Sequence, residues 1–85
     1  MGVLHILSNP DATASCVAAV AEGDAIVVVG DGVFALPRVA TSARIGVVTE
    51  DAADRGVGLP DGVQSLSYAD FVAWVVGCRS SVTWT

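Results

Sequence analysis

The sequence predicts an α/β fold, a three-layer α/β/α sandwich around a small, mostly parallel sheet of four to five strands. Three observations predict it. First, Ala25-Ile26-Val27-Val28-Val29 lies between a Gly23-Asp24 turn and a Gly30-Asp31-Gly32 turn. A run so short, apolar and β-branched reads as a strand buried on both faces, as parallel strands are. Second, strand-like and helix-like segments alternate along the chain, which implies a parallel sheet with right-handed crossovers and helices on both faces. Third, the strand-like segments lead into polar or Gly-rich turns, the pattern of the carboxyl edge of an open parallel sheet.

Each element has its own local reason. Val3-Leu4-His5-Ile6-Leu7 reads as the first strand. Asn9 can cap the helix that follows, Pro10 suits its first position and Asp11 faces the positive end of its dipole. The alanine-rich stretch after it predicts a helix to about Glu22, stopped by Gly23 in a left-handed conformation. Residues 24–29 form the second strand. After Gly30-Asp31-Gly32, residues 33–36 predict a short helical turn closed by Pro37, and residues 38–42 a loop or frayed helix. Arg44 to Thr49 is the third strand. Glu50 to Gly56 is a short helix with acids first, Arg55 late and Gly56 as its stop.

Residues 57–62 form a Gly/Pro loop and Val63-Gln64-Ser65-Leu66 a fourth strand. Ser67-Tyr68-Ala69-Asp70 reads as a capping box, with Asp70 where a longer Glu is usual. The helix it opens runs through Phe71, Val72, Trp74, Val75 and Cys78. Its wide apolar stripe predicts a largely buried helix. Residues 81–84 predict a terminal edge strand.

Composition bounds the function. The 85 residues allow one domain, spanning 1–85. The chain is 53% hydrophobic, with a mean hydropathy of +0.65. A domain this small has little interior, so the surplus apolar surface points to a subunit interface. No apolar run approaches the ~20 residues of a membrane span. Met1-Gly2-Val3-Leu4-His5 lacks the basic start of a signal peptide, so a cytoplasmic chain is expected. The net charge of −5, with four scattered arginines and no lysine, argues against direct nucleic-acid binding. Two cysteines far apart and a single histidine make no zinc pattern. No cofactor or metal is expected.

Few residues suggest chemistry. Asp31, between two glycines, could bind a donor, position a partner or close an Asx turn, but no phosphate-loop spacing surrounds it. Cys16 lies mid-helix on an alanine and valine face, where a thiol is usually buried and inert; it is the candidate sulfur-handling thiol. Cys78 sits at a helix C-terminus, whose dipole disfavours thiolate. His5, inside a strand, reads as buried and hydrogen-bonded. Phe71 and Trp74 read as core. Tyr68 and Trp84 are harder to bury in a monomer and could anchor an interface.

Taken in order, Leu4-His5-Ile6-Leu7-Ser8, Gly23-Asp24-Ala25 through Gly30-Asp31-Gly32-Val33-Phe34-Ala35, Thr49-Glu50-Asp51 with Arg55-Gly56, Tyr68-Ala69-Asp70-Phe71 and Trp84 resemble the DsrH/TusB family of small sulfur-relay proteins. The resemblance spans nearly the whole chain. It implies a DsrE/F/H-like fold and a hetero-oligomer with DsrE/TusD-like and DsrF/TusC-like subunits. It implies a complex that passes persulfide sulfur toward 2-thiolation of the tRNA wobble uridine. The alternatives are a DsrH-type subunit in dissimilatory sulfur oxidation and a stand-alone homo-oligomeric binding module. The main sulfur-carrying cysteine of such complexes lies on the DsrE/TusD-like partner. Some DsrH-like chains carry a cysteine in the first helix, and Cys16 stands at a comparable place. The expectation is therefore a scaffolding, non-catalytic subunit whose contacts are Asp31, Gly32, Phe34, Tyr68 and Trp84.

Overall fold

Five parallel strands form one sheet in the order β4-β3-β2-β1-β5. They are β1 (Val3–Leu7), β2 (Ala25–Val28), β3 (Arg44–Val48), β4 (Val63–Leu66) and β5 (Ser80–Trp84). The helices are α1 (Thr13–Ala19), α2 (Thr49–Asp54) and α3 (Tyr68–Gly77). Short 3₁₀ segments cover Pro10–Ala12 and Gly30–Arg38. The computed structural model describes residues 2–39 and 41–85. Met1, and Ala40 in the loop expected over 38–42, lie outside the described residues.

The strand order dictates the layers. The connections from β1 to β2, β2 to β3 and β3 to β4 all step in one direction across the sheet. The β4–β5 connection returns across the whole sheet. Crossovers of one hand then fall on opposite faces. On one face, Leu7, Ile26, Val28 and Val47 pack with Cys16 of α1, Val33, Ala35 and Leu36 of the 3₁₀ segment and Ala52 of α2. On the other, Leu4, Ala25, Val27, Val48 and Leu66 pack beneath Trp74 and Cys78, at and just after α3. All four residues of β2 are buried, as a central parallel strand requires.

A glycine makes the single-helix face possible. A Cβ on Gly46 of β3 would stand 2.9 Å from Trp74 Cη2 and 2.6 Å from Leu66 Cδ1. The missing side chain lets the Trp74 ring lie on the strand. The Arg44 guanidinium sits 4.4 Å from the centre of that ring, a cation–π contact.

Several expectations need correction. The first helix ends at Ala19 rather than near Glu22, because Val20 turns extended and Asp24 Oδ2 accepts from the Ala21 N–H (2.9 Å). The turn after β2 is longer than expected: the 3₁₀ segment starts at Gly30 and carries Pro37 within it. The second helix starts one residue early, at Thr49. The largest departure is α3. It is not largely buried: Trp74 is its single buried residue, while Val72 is 57% and Val76 79% exposed. One helix crossing a five-stranded sheet has the sheet on one side and, among the described residues, nothing packed on the other.

The capping box forms in full. Ser67 Oγ accepts from Asp70 N and Asp70 Oδ2 from Ser67 N, both at 3.1 Å. The shorter aspartate therefore closes the reciprocal bond. Asn9 caps as expected, accepting from Asp11 N at 3.0 Å, and Gly23 and Gly56 adopt φ of 85° and 65°.

His5 is buried, as its place in a strand predicts, and it lies in a relay. Trp84 Nε1–H donates to His5 Nδ1 (3.1 Å), and His5 Nε2 meets Asp24 Oδ2 at 3.0 Å. Both bonds are satisfied when the ring carries its proton on Nε2, the tautomer this network assigns. The His5 and Trp84 rings stack, 6.1 Å between centres and 21° between planes.

Asp24 also accepts from Val3 N (2.9 Å). The Ala21 N–H, His5 and the Val3 N–H together hold its carboxyl down at about 2. A lowered carboxyl favours the fold above the unfolded value near 3.8, and the benefit disappears as pH falls toward about 2. Asp24→Asn is therefore expected to lower the melting temperature at neutral pH. Melting curves of variant and wild type should converge in acid across that window; a constant gap down to pH 2 would exclude the linkage.

Candidate functional site

The turns after β1 to β4 gather at one edge, and a polar network ties three of them together. Asp51, in the first turn of α2, is its centre. Its Oδ2 accepts from the Gly30 N–H after β2 (2.8 Å). Its Oδ1 accepts from the Tyr68 hydroxyl after β4 (2.8 Å). Its backbone oxygen accepts from Arg55 Nη1 (3.2 Å), and Arg55 Nε donates to Asp31 Oδ1 (2.9 Å). The Asp51 carboxylate beside it raises the Tyr68 phenol above its usual range, and the Asp31 bond raises the Arg55 guanidinium. Both groups keep their neutral-pH protonation, so the network is a fixed surface rather than a proton relay.

The fourth turn closes on β5. The Ser8 backbone N–H and hydroxyl both donate to the Trp84 carbonyl, at 3.1 and 3.2 Å. Ser8 is thus committed to the backbone and is not poised as a nucleophile.

The five expected contact residues divide. Asp31, Phe34 and Tyr68 are exposed around the network, Phe34 and Tyr68 each by 51%. Gly32 is buried: a Cβ there would run into the Leu7 carbonyl oxygen and stand 3.2 Å from Ser8 Cα. Trp84 turns inward onto His5 and is half-buried. In the chain alone, Gly32 and Trp84 brace the edge from inside while the other three face outward.

Cys16 is fully buried, and desolvation raises its thiol. Cys78 packs in the core on the opposite face of the sheet. The two thiols are free. Among the described residues no group of three or more His, Cys, Asp or Glu could hold a metal ion. Nor is any helix among them long and apolar enough to cross a membrane.

Sequence reasoning missed Asp51, Arg55 and Asp24 as connectors. Asp51 and Arg55 were legible as dipole-matched residues of a short helix and as part of the family resemblance, but not as a network. Their partners come from neighbouring turns, a relation set by strand order. Asp24 carried one local signal, an acid directly after a left-handed glycine.

Residues 8–81 match the family model described as DsrH like protein. The chain belongs to the DsrH-like family. That membership supports a subunit of the sulfur-relay type in general terms. Among solved structures, this DsrH-like chain is similar to the ychN protein from E. coli, with a TM-score of 0.67 over 99% of this chain and 100% of that one. The identity is 13%, so the likeness speaks for the fold. It bears out the small parallel sheet between helical layers. A search of curated protein sequences found no match.

Proposed function

We propose that this DsrH-like chain is a scaffolding subunit of a cytoplasmic sulfur-relay complex with DsrE/TusD-like and DsrF/TusC-like subunits, serving 2-thiolation of the tRNA wobble uridine. The family match over residues 8–81 carries this reading. The thiols support a non-carrier role. In persulfide exchange an acceptor thiolate attacks the outer sulfur of the donor persulfide; the donor S–S bond breaks and the donor cysteine leaves as thiolate. Burial keeps Cys16 protonated and out of reach of a donor. The transferring cysteine then belongs to a partner, and this chain offers the rigid edge of Asp31, Phe34 and Tyr68. A net charge of −5 leaves RNA contact to other subunits.

Co-expression with DsrE-like and DsrF-like subunits is expected to yield one co-eluting complex, weakened by Phe34→Asp; elution of this chain apart from both would end the reading. Cys16→Ala should leave persulfide transfer through the complex unchanged. In the folded chain, disulfide-exchange labelling of Cys16 should be far slower than in urea; rapid labelling of the native thiol would restore it as a sulfur carrier. Cells lacking the chain should lose wobble 2-thiouridine. Intact thiolation with impaired sulfur oxidation would move the complex to the dissimilatory branch.

A further inference from the structure

The outer face of α3 is apolar along its length. Ala69, Val72, Ala73, Val76 and Gly77 recur at the spacing of one helix face and all are exposed. The opposite residues Phe71, Trp74, Val75 and Cys78 meet the sheet. Val76 is the most exposed large apolar residue among the described residues, at 79%. The face holds no charged side chain, although the chain carries a net charge of −5. Charge lies at its two ends instead: Asp70 in the first turn and Arg79 just beyond the last. Neither takes part in the Arg55–Asp31 ion pair or in the His5–Asp24 contact.

We infer that α3 packs antiparallel against α3 of a second copy about a two-fold axis between Trp74 and Val75. The pattern is self-complementary under that operation, as an isologous interface must be. Val72 of one protomer faces Gly77 of its partner copy and Val76 faces Ala73, so each large side chain meets a small one. Asp70 comes opposite Arg79 at both ends of the pair. The two helix dipoles run in opposite directions, and each N-terminus lies beside the other's C-terminus. A single pair of ten-residue helices buries less than the ~800 Å² per partner of a standard interface. The association is therefore weak and concentration-dependent.

This pairing goes beyond the sulfur-relay reading and stands or falls separately. Sedimentation equilibrium from low micromolar to near-millimolar protein should show the mass rising from one protomer toward two. Val76→Asp should weaken the association at least about tenfold with an unchanged far-UV spectrum and melting temperature. A mixture of Ala73→Cys and Val76→Cys chains should cross-link between the two variants faster than either cross-links with itself. A wild-type chain that stays monomeric throughout, or a Val76→Asp chain that associates like wild type, overturns the pairing. So does monomeric behaviour with α3 bound by a DsrE-like subunit, an outcome that would leave the relay reading intact.

Discussion

Gly32→Ala is expected to cost about 3 kcal/mol or more of folding stability, and Gly30→Ala about 1–2 kcal/mol. The two glycines flank Asp31 and look equivalent in the sequence. Their constraints differ in kind. Gly30 needs its left-handed backbone, φ 53°, but a Cβ on it would meet nothing within 4 Å. Gly32 has an ordinary φ and no space, because the turn lies on the Leu7 carbonyl at the end of β1. That obstacle is backbone, which cannot rotate aside. The Val29 N–H donates to the same Leu7 oxygen at 3.0 Å, so relief at Gly32 strains the β1–β2 ladder as well. Urea titrations of both variants, compared through midpoint and slope, decide it. Equal, mild losses would mean that the turn does not rest on β1.

The second large effect is expected at His5. His5→Leu should destabilise the chain by about 2–4 kcal/mol. The change strands the Trp84 indole N–H in a half-buried position and removes one of the three groups that hold the Asp24 carboxylate. Trp84→Phe keeps a ring stacked on His5 and loses one hydrogen bond, so about 1 kcal/mol is expected. Amide hydrogen exchange adds a local readout. Residues of β5 should open more readily in His5→Leu, while β2 and β3 keep their protection relative to global unfolding. If His5→Leu costs no more than Trp84→Phe, the histidine is packing and not a bridge.

Much of the fold is legible in the sequence because its signals are local. The β-branched run of β2, the Asn9 and Ser67 caps and the Gly56 stop each act within a few residues, and each appears where expected; Gly23 takes its left-handed turn, but the helix before it has already ended at Ala19. What escaped the sequence depends on strand order. Asp51 reads as a dipole-matched acid until β2, β3 and β4 become neighbours and bring Gly30 and Tyr68 to its two oxygens. Trp84 reads as surplus aromatic surface until β5 pairs with β1 and the indole meets His5. The apolar stripe of α3 reads as burial because periodicity reports an affinity for apolar surroundings, not what supplies them. Here the sheet supplies half.

The pairing of β1 with β5 also governs when this sheet can form. Leu7 aligns with Trp84 and Val3 with Ser80, so β1 waits for β5 before its second flank is covered. Strands β2, β3 and β4 can add in the order of synthesis, each beside its predecessor. The final ladder must join residues more than seventy positions apart, and loops of that length close late and slowly. Until then β1 is an open edge, its backbone groups on the β5 side unpaired. An edge of that kind is a template for foreign strands. The chain is thus most exposed to misassembly just before Ser80–Trp84 arrive, and a chaperone or an early-binding subunit would protect it most in that interval.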